Sequence, residues 1–147
     1  FRLVKLGTSG WSAGEFINFD QNRIVIRLAD IILLRAECRV RLGNNEGAIA
    51  DLNTIRERAN AELYHSSEYG GDLRYAIFKE REKELLMEGC RWYDVIRNEY
   101  YKTELYGGFR NVSKQDILDG VFFNAVDNNE FSENPLARQN TYWLKRM

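Results

Sequence analysis

From about Arg27 onward the apolar residues of this chain fall at helical intervals. Leu28, Ile31, Ile32, Ala36 and Val40 make one wide face, Asp30 lies near the positive helix end, and Gly43 marks the stop. Beyond the turn GNNEG, Ala48, Leu52, Ile55 and Ala59 repeat the three- and four-residue spacing, with Asp51, Arg56, Glu57 and Arg58 largely outside that stripe. Residues 61–71 read as a loop. Asp72 is then placed to cap a third, longer helix carrying Leu73, Ala76, Ile77, Leu85 and Leu86, which runs into the stretch EREKELLMEGCRWYDVIR, Glu80 to Arg97.

Outside this block the rhythm changes. Residues 1–21 alternate briefly and then pass through GTSGWSAGEF, predicting a short strand and a Gly/Ser-rich loop, and Ile24-Val25-Ile26 looks extended. Past Asn98 the chain is aromatic-rich. Ser113 and Asp116 frame a capping box for a short helix through Leu118, and the tail around Pro135 predicts an irregular segment anchored by Phe122, Phe123, Tyr142 and Trp143.

Two helices joined by so short a turn must pack antiparallel, giving a hairpin of about tetratricopeptide size. The predicted fold is mainly α: that hairpin, a long third helix, irregular loops and an extended C-terminal tail. Nothing in the composition divides the chain, so residues 1–147 read as a single domain, with a lead-in over 1–21, a helical core over 22–98, and loops and tail over 99–147.

Composition narrows the function classes. The chain has 147 residues, 44% of them apolar, enough for one real core. With 21 basic against 22 acidic residues the formal charge is -1, which provides no basic field for nucleic acid. No apolar run is long enough to span a bilayer, and the start FRLVKLGTSG has neither an initiator Met nor a signal-peptide layout, so a leader or lipid-anchor cysteine is expected upstream. Cys38 and Cys90 read as buried free thiols, with a disulfide as the alternative. His65, the only histidine, lacks a second ligand and reads as an exposed loop residue, so no metal or cofactor is expected.

The stretch Glu80–Arg97 is the one place that resembles an acid/base site. Glu84 and Glu88 are one helical turn apart, about 6 Å along the axis, a spacing compatible with paired carboxylates. Each acid nevertheless has a cation three residues away: Arg81 before Glu84, Arg91 after Glu88, Arg97 after Asp94. Such partners hold carboxylates ionised. The reading is a structural network of Arg81, Glu84, Glu88, Arg91, Asp94 and Arg97 on a helix bent at Gly89. No GxSxG, HExxH, GxGxxG or P-loop occurs, so no catalytic residue is assigned. Loop aromatics are the remaining candidates for ligand contact, chiefly Trp11, Tyr69 and Tyr106, although rings more often plug cores.

Three motifs in order then match a known pattern. The first, R-x-A-[DE]-x-x-L-x-x-A-E, falls on Arg27, Ala29, Asp30, Leu33, Ala36 and Glu37; the second, L-N-x-[IV]-R-x-R-A, on Leu52, Asn53, Ile55, Arg56, Arg58 and Ala59. The third, E-R-x-x-E-L-x-x-E-G-x-R-[WF]-x-D-[LV]-x-R, falls on Glu80, Arg81, Glu84, Leu85, Glu88, Gly89, Arg91, Trp92, Asp94, Val95 and Arg97. Together they resemble the C-terminal part of the SusD/RagB family of outer-membrane nutrient-binding lipoproteins, over about residues 22–147. In the tail, Phe122-Phe123-Asn124-Ala125-Val126 stands where members carry F-P-I-P, while Asn134, Pro135, Gln139 and Asn140 keep the pattern.

The resemblance implies a mostly helical, non-catalytic protein that captures oligosaccharides or other nutrients at the cell surface. Its implied partner is a SusC-like TonB-dependent outer-membrane transporter, and this chain would be a C-terminal fragment of a longer protein. None of the motif residues is a ligand contact in the family, so no binding site is carried over. The rival readings are a helical-repeat protein–protein interaction module without a sugar ligand and, more remotely, a carboxylate-based hydrolase.

Overall fold

In the computed structural model, which describes residues 25–146, the chain turns helical at Leu28 because Arg27 is still extended (φ -131°, ψ 163°) while its carbonyl already accepts from the Asp30 amide. Helix α1 spans Leu28–Arg41 and ends where Gly43 adopts φ 79°. Asn44 then caps α2, Asn45–Arg58, by accepting from the Gly47 amide. Asp72 accepts from the Tyr75 amide at 2.9 Å and starts α3, Leu73–Glu84. Five shorter helices follow: α4 Arg91–Arg97, α5 Tyr101–Glu104, α6 Lys114–Asp119, α7 Asn128–Glu133 and α8 Thr141–Leu144. The capping box of α6 is present, with the Ser113 and Asp116 side chains each accepting from the other's backbone N–H. No strand occurs among the described residues; the expected strand, Trp11 and the rest of the lead-in lie outside them.

The fold is mainly α, and α1, α2 and α3 pack on one another around Ala29, Leu33, Ala36, Ala48, Leu52, Ile55, Leu73, Ala76 and Ile77. Four of these nine are alanines, so backbones approach closely where the helices cross. Phe78, Leu85, Val95 on α4 and Val121 just after α6 are buried as well, outside that cluster.

Several expectations are corrected. The buried face of α1 is Ala29, Leu33, Ala36 and Glu37, whereas Leu28 and Ile31 are 73% and 50% exposed. The first half of this helix, residues 28–34, is apolar except for Asp30, so periodicity alone cannot select which face α2 and α3 cover. On α2, Asp51 and Arg56 are buried and Ala59 is exposed. The third helix is not long: it ends at Glu84, and turns through residues 85–89 separate it from α4, with Met87 at φ 65° and Gly89 at φ 82°. The tail is less irregular than expected because Asp127 and Asn140 cap α7 and α8. Both cysteines are free, but Cys38 is exposed and Cys90 half-buried.

Candidate functional site

The break between α3 and α4 changes how the charged stretch is used. In a continuous helix its acids and bases would pair three residues apart; of the three arginine pairs expected from that spacing, the structure makes Arg97–Asp94, at 2.6 Å, and sends Arg81 and Arg91 to other partners. Arg81, whose side chain is 2% exposed, gives Nε to Asp94 Oδ2 at 2.9 Å and Nη2 to Asp30 Oδ1 at 2.7 Å, joining α3 to α4 and α1. Arg97 extends the chain of pairs to Glu37 at 2.9 and 2.8 Å, and Arg41 reaches both Glu37 and the Asn98 amide oxygen. Burial pushes the Glu37 carboxyl upward, but the hydrogen bond and charge of Arg97, with Asn98 and Arg41, outweigh it and leave its pKa below the usual value.

The other acids are held in the same way, from distant segments. Glu84 accepts from Arg27 and Arg58, each at 2.5 Å, and Glu88 accepts from Arg27 at 2.8 Å. The buried Arg56 joins Glu80 at 2.9 Å and Glu68 at 2.7 Å. Arg91 turns away from Glu88 and pairs with Glu82 and Glu104, with its guanidinium 4.5 Å from the Phe78 ring centre. Glu104 also accepts from Tyr75 Oη and Lys79 Nζ; burial works against its ionised form, yet Tyr75, Lys79 and Arg91 draw its pKa down.

These carboxylate oxygens are occupied by cationic donors, which makes an ion-pair lattice. A pair of acids free to exchange protons with a substrate is a different arrangement. Among the described residues no group of three or more His, Cys, Asp or Glu side chains is placed to hold a metal, and no helix is long and apolar enough to cross a membrane. His65 is exposed, with Nε2 3.0 Å from Glu62. Burial, with Asp30 and Asp94, raises the Cys90 thiol pKa, the opposite of what a reactive cysteine needs.

The loop aromatics do not converge. Tyr69, at φ 48° in the turn Glu68–Gly71, meets Tyr75 edge to face at 5.2 Å. Tyr106 is exposed beside Arg110, whose guanidinium lies 5.0 Å from its ring centre. A shallow cleft that the sequence reading did not single out has a volume of about 390 Å³ and is lined by Trp92, Tyr93, Phe109, Phe122, Phe123 and Asn124. Its residues lie in three separate segments, and only the aromatic richness of 99–123 pointed toward it.

The lattice explains why the three sequence motifs occur together. The first supplies Arg27, Asp30 and Glu37, the second Arg56 and Arg58, and the third their partners Glu84 and Glu88, Arg81, Arg97, and Glu80. The SusD family profile matches residues 4–144. The chain belongs to the SusD family. It is 32% identical over 124 residues to the SusD-like protein P38 of Formosa agariphila, covering 78% of this chain and 24% of that protein. It is 44% identical over 85 residues to the SusD-like protein P25 of the same organism, covering 54% of this chain and 16% of that one. The chain thus spans about a quarter or less of these curated relatives. No solved structure gives a significant match.

The tail positions of this SusD-family chain also have visible work. Gln139 accepts from the Val126 amide and donates to the Val126 carbonyl, at 3.1 and 3.0 Å, taking the place of a strand partner, while Asn140 caps α8 through the Trp143 amide. Gly89 has no atom within 4 Å of where a Cβ would sit, so its role is the left-handed turn; it makes no room for another backbone.

Proposed function

We propose that this chain is part of a non-catalytic nutrient-binding protein, the glycan-capturing component of a SusC/SusD-type outer-membrane uptake system. In this reading residues 1–147 form one domain at the C-terminal end of a longer surface lipoprotein. The ion-paired helices supply scaffold, and part of their surface faces a SusC-like TonB-dependent transporter. Tyr69 and Tyr106 are candidate ligand contacts; Trp11, the third, lies outside the described residues.

The observation that carries the reading is the interlocking of the three motifs. Residues of family-typical identity are used to tie α1, α2, α3 and α4 together, which supports a positioning role for Asp30, Glu37, Glu80 and Asp94. The curated relatives bear the name SusD-like protein, in agreement with that role.

The test is genetic and biochemical. The gene should encode a lipid-attachment cysteine after a signal peptide and lie beside a TonB-dependent transporter gene, the two products should co-purify from outer membranes, and deletion should abolish growth on one polysaccharide. A cytosolic product that leaves growth on every glycan intact would overturn the proposal.

A further inference from the structure

The outer face of α1 is not explained by the ion-pair lattice. Leu28, Ile31, Arg35, Cys38 and Leu42 follow one another at alternate steps of three and four residues, which on a helix gathers them into a stripe about 80° wide. All five are exposed, Leu42 at 83%. The buried positions of α1, Ala29, Leu33 and Ala36, lie on the opposite side, toward α2 and α3, so the stripe is left uncovered. Its one guanidinium is already engaged: Arg35 gives Nε and Nη2 to Asp51, at 3.1 and 2.7 Å. The apolar surface continues past the start of the helix. Val25 and Ile26 are exposed, and Arg27, by holding Glu84 and Glu88, sets the exposed Leu86 and Met87 near the same end.

We propose that this stripe is an internal docking surface, covered by a helix from the sequence upstream of this chain in the longer protein. Its composition favours that occupant. Aliphatic side chains and a free thiol are the residue types of a domain interior, whereas surfaces that meet separate partners are richer in Tyr, Trp and Arg. A second copy fits poorly, because a two-fold antiparallel pairing that sets Leu28 on Leu42 also sets Arg35 against Arg35. The matched 124 residues are 24% of the SusD-like protein P38, so about three quarters of that relative lie outside the match, ample chain to supply a helix. A seam of alternate three- and four-residue steps is what one packed helix fills, at about 8–10 Å between axes. The inference rests on the reading of this chain as part of a longer protein and names the face on which the upstream part sits.

Cys38 stands on the stripe and serves as the probe. Labelling with N-ethylmaleimide is followed by mass spectrometry, so that the Cys38 and Cys90 peptides are read separately. In the native full-length protein Cys38 should react about a hundredfold more slowly than after denaturation. In this chain alone it should react within about threefold of the denatured rate, because it is exposed. Leu28→Glu in the full-length protein should lower the melting temperature and speed Cys38 labelling about tenfold, yet leave the melting temperature of this chain alone unchanged. Should that variant not fold, the wild-type labelling decides by itself.

Fast labelling of Cys38 in the native full-length protein would overturn the inference. So would protection already complete in this chain alone, protection that lapses on dilution, which marks a second copy, or protection gained only when the transporter co-purifies, which marks a separate partner. The two readings fail separately. A gene with no sequence upstream of this chain rejects the longer-protein reading, whereas an upstream sequence with a freely reactive Cys38 rejects the docking surface alone.

Discussion

Arg81 shows what the lattice costs to break. Its guanidinium is almost wholly out of solvent and serves two carboxylates, Asp30 and Asp94, as well as the Asp30 carbonyl. Arg81→Ala therefore leaves the half-buried Asp30 without its ion-pair partner and the buried Asp94 with Arg97 alone, and we expect a loss of roughly 3 kcal/mol in a denaturant titration. Arg58 also pairs with Glu84, but its side chain is 60% exposed, and Arg58→Ala should cost less than about 1 kcal/mol. Equal losses from the two would mean that depth does not govern the pairs. Arg97→Lys keeps the charge but gives up the two-nitrogen grip on Glu37, and roughly 1 kcal/mol should go with it, read in the same titration.

At the scale of elements, the decisive feature is the interruption between α3 and α4. If residues 80–97 were one bent helix, Gly89→Ala would stabilise the chain by about 1 kcal/mol through helix propensity. With Gly89 at φ 82° and open space around it, the same change forces a side chain into a left-handed conformation and should destabilise by about 1 kcal/mol, with Gly89→Asn recovering part of the loss. The sign of the change in melting temperature separates the two geometries. The break matters because it swings α4 so that Asp94 meets Arg81 and Arg97 meets Glu37. On an unbroken helix Asp94 would stand 13 residues beyond Arg81, more than three turns away.

The whole molecule should be acid-sensitive. Glu68, through its hydrogen bonds from Arg56, and Glu37 and Glu104, through guanidinium, ammonium and phenol donors that outweigh burial, all have folded pKa values below the ordinary 4.5. The unfolded chain then binds more protons than the folded one in the window just below pH 4.5, so their contribution is complete above that pH and is lost as pH falls through the folded values. Melting temperature measured from pH 7 to 3 should fall below about pH 4.5, and Glu37→Gln should lower the neutral-pH plateau while flattening that fall. A profile flat to pH 3 would mean that the pairs add nothing to folding.

The sequence by itself determined the helical class, the caps at Asp72 and Ser113, the stop at Gly43 and the family, because these depend on local spacing and on residues adjacent in the chain. It also contained both halves of the lattice, as motifs, without saying how they join. Only the tertiary structure decided that Arg81 answers Asp30 and Asp94 instead of Glu84, that α1 buries Ala29 and Leu33 instead of Leu28 and Ile31, and that Trp92 floors a cleft with Phe109 and Phe122. The reason is common to all three. A helix period fixes which side chains share a face, but a guanidinium pairs with whichever carboxylate the packed backbones bring within reach, and that depends on where the helix breaks and which neighbour covers it.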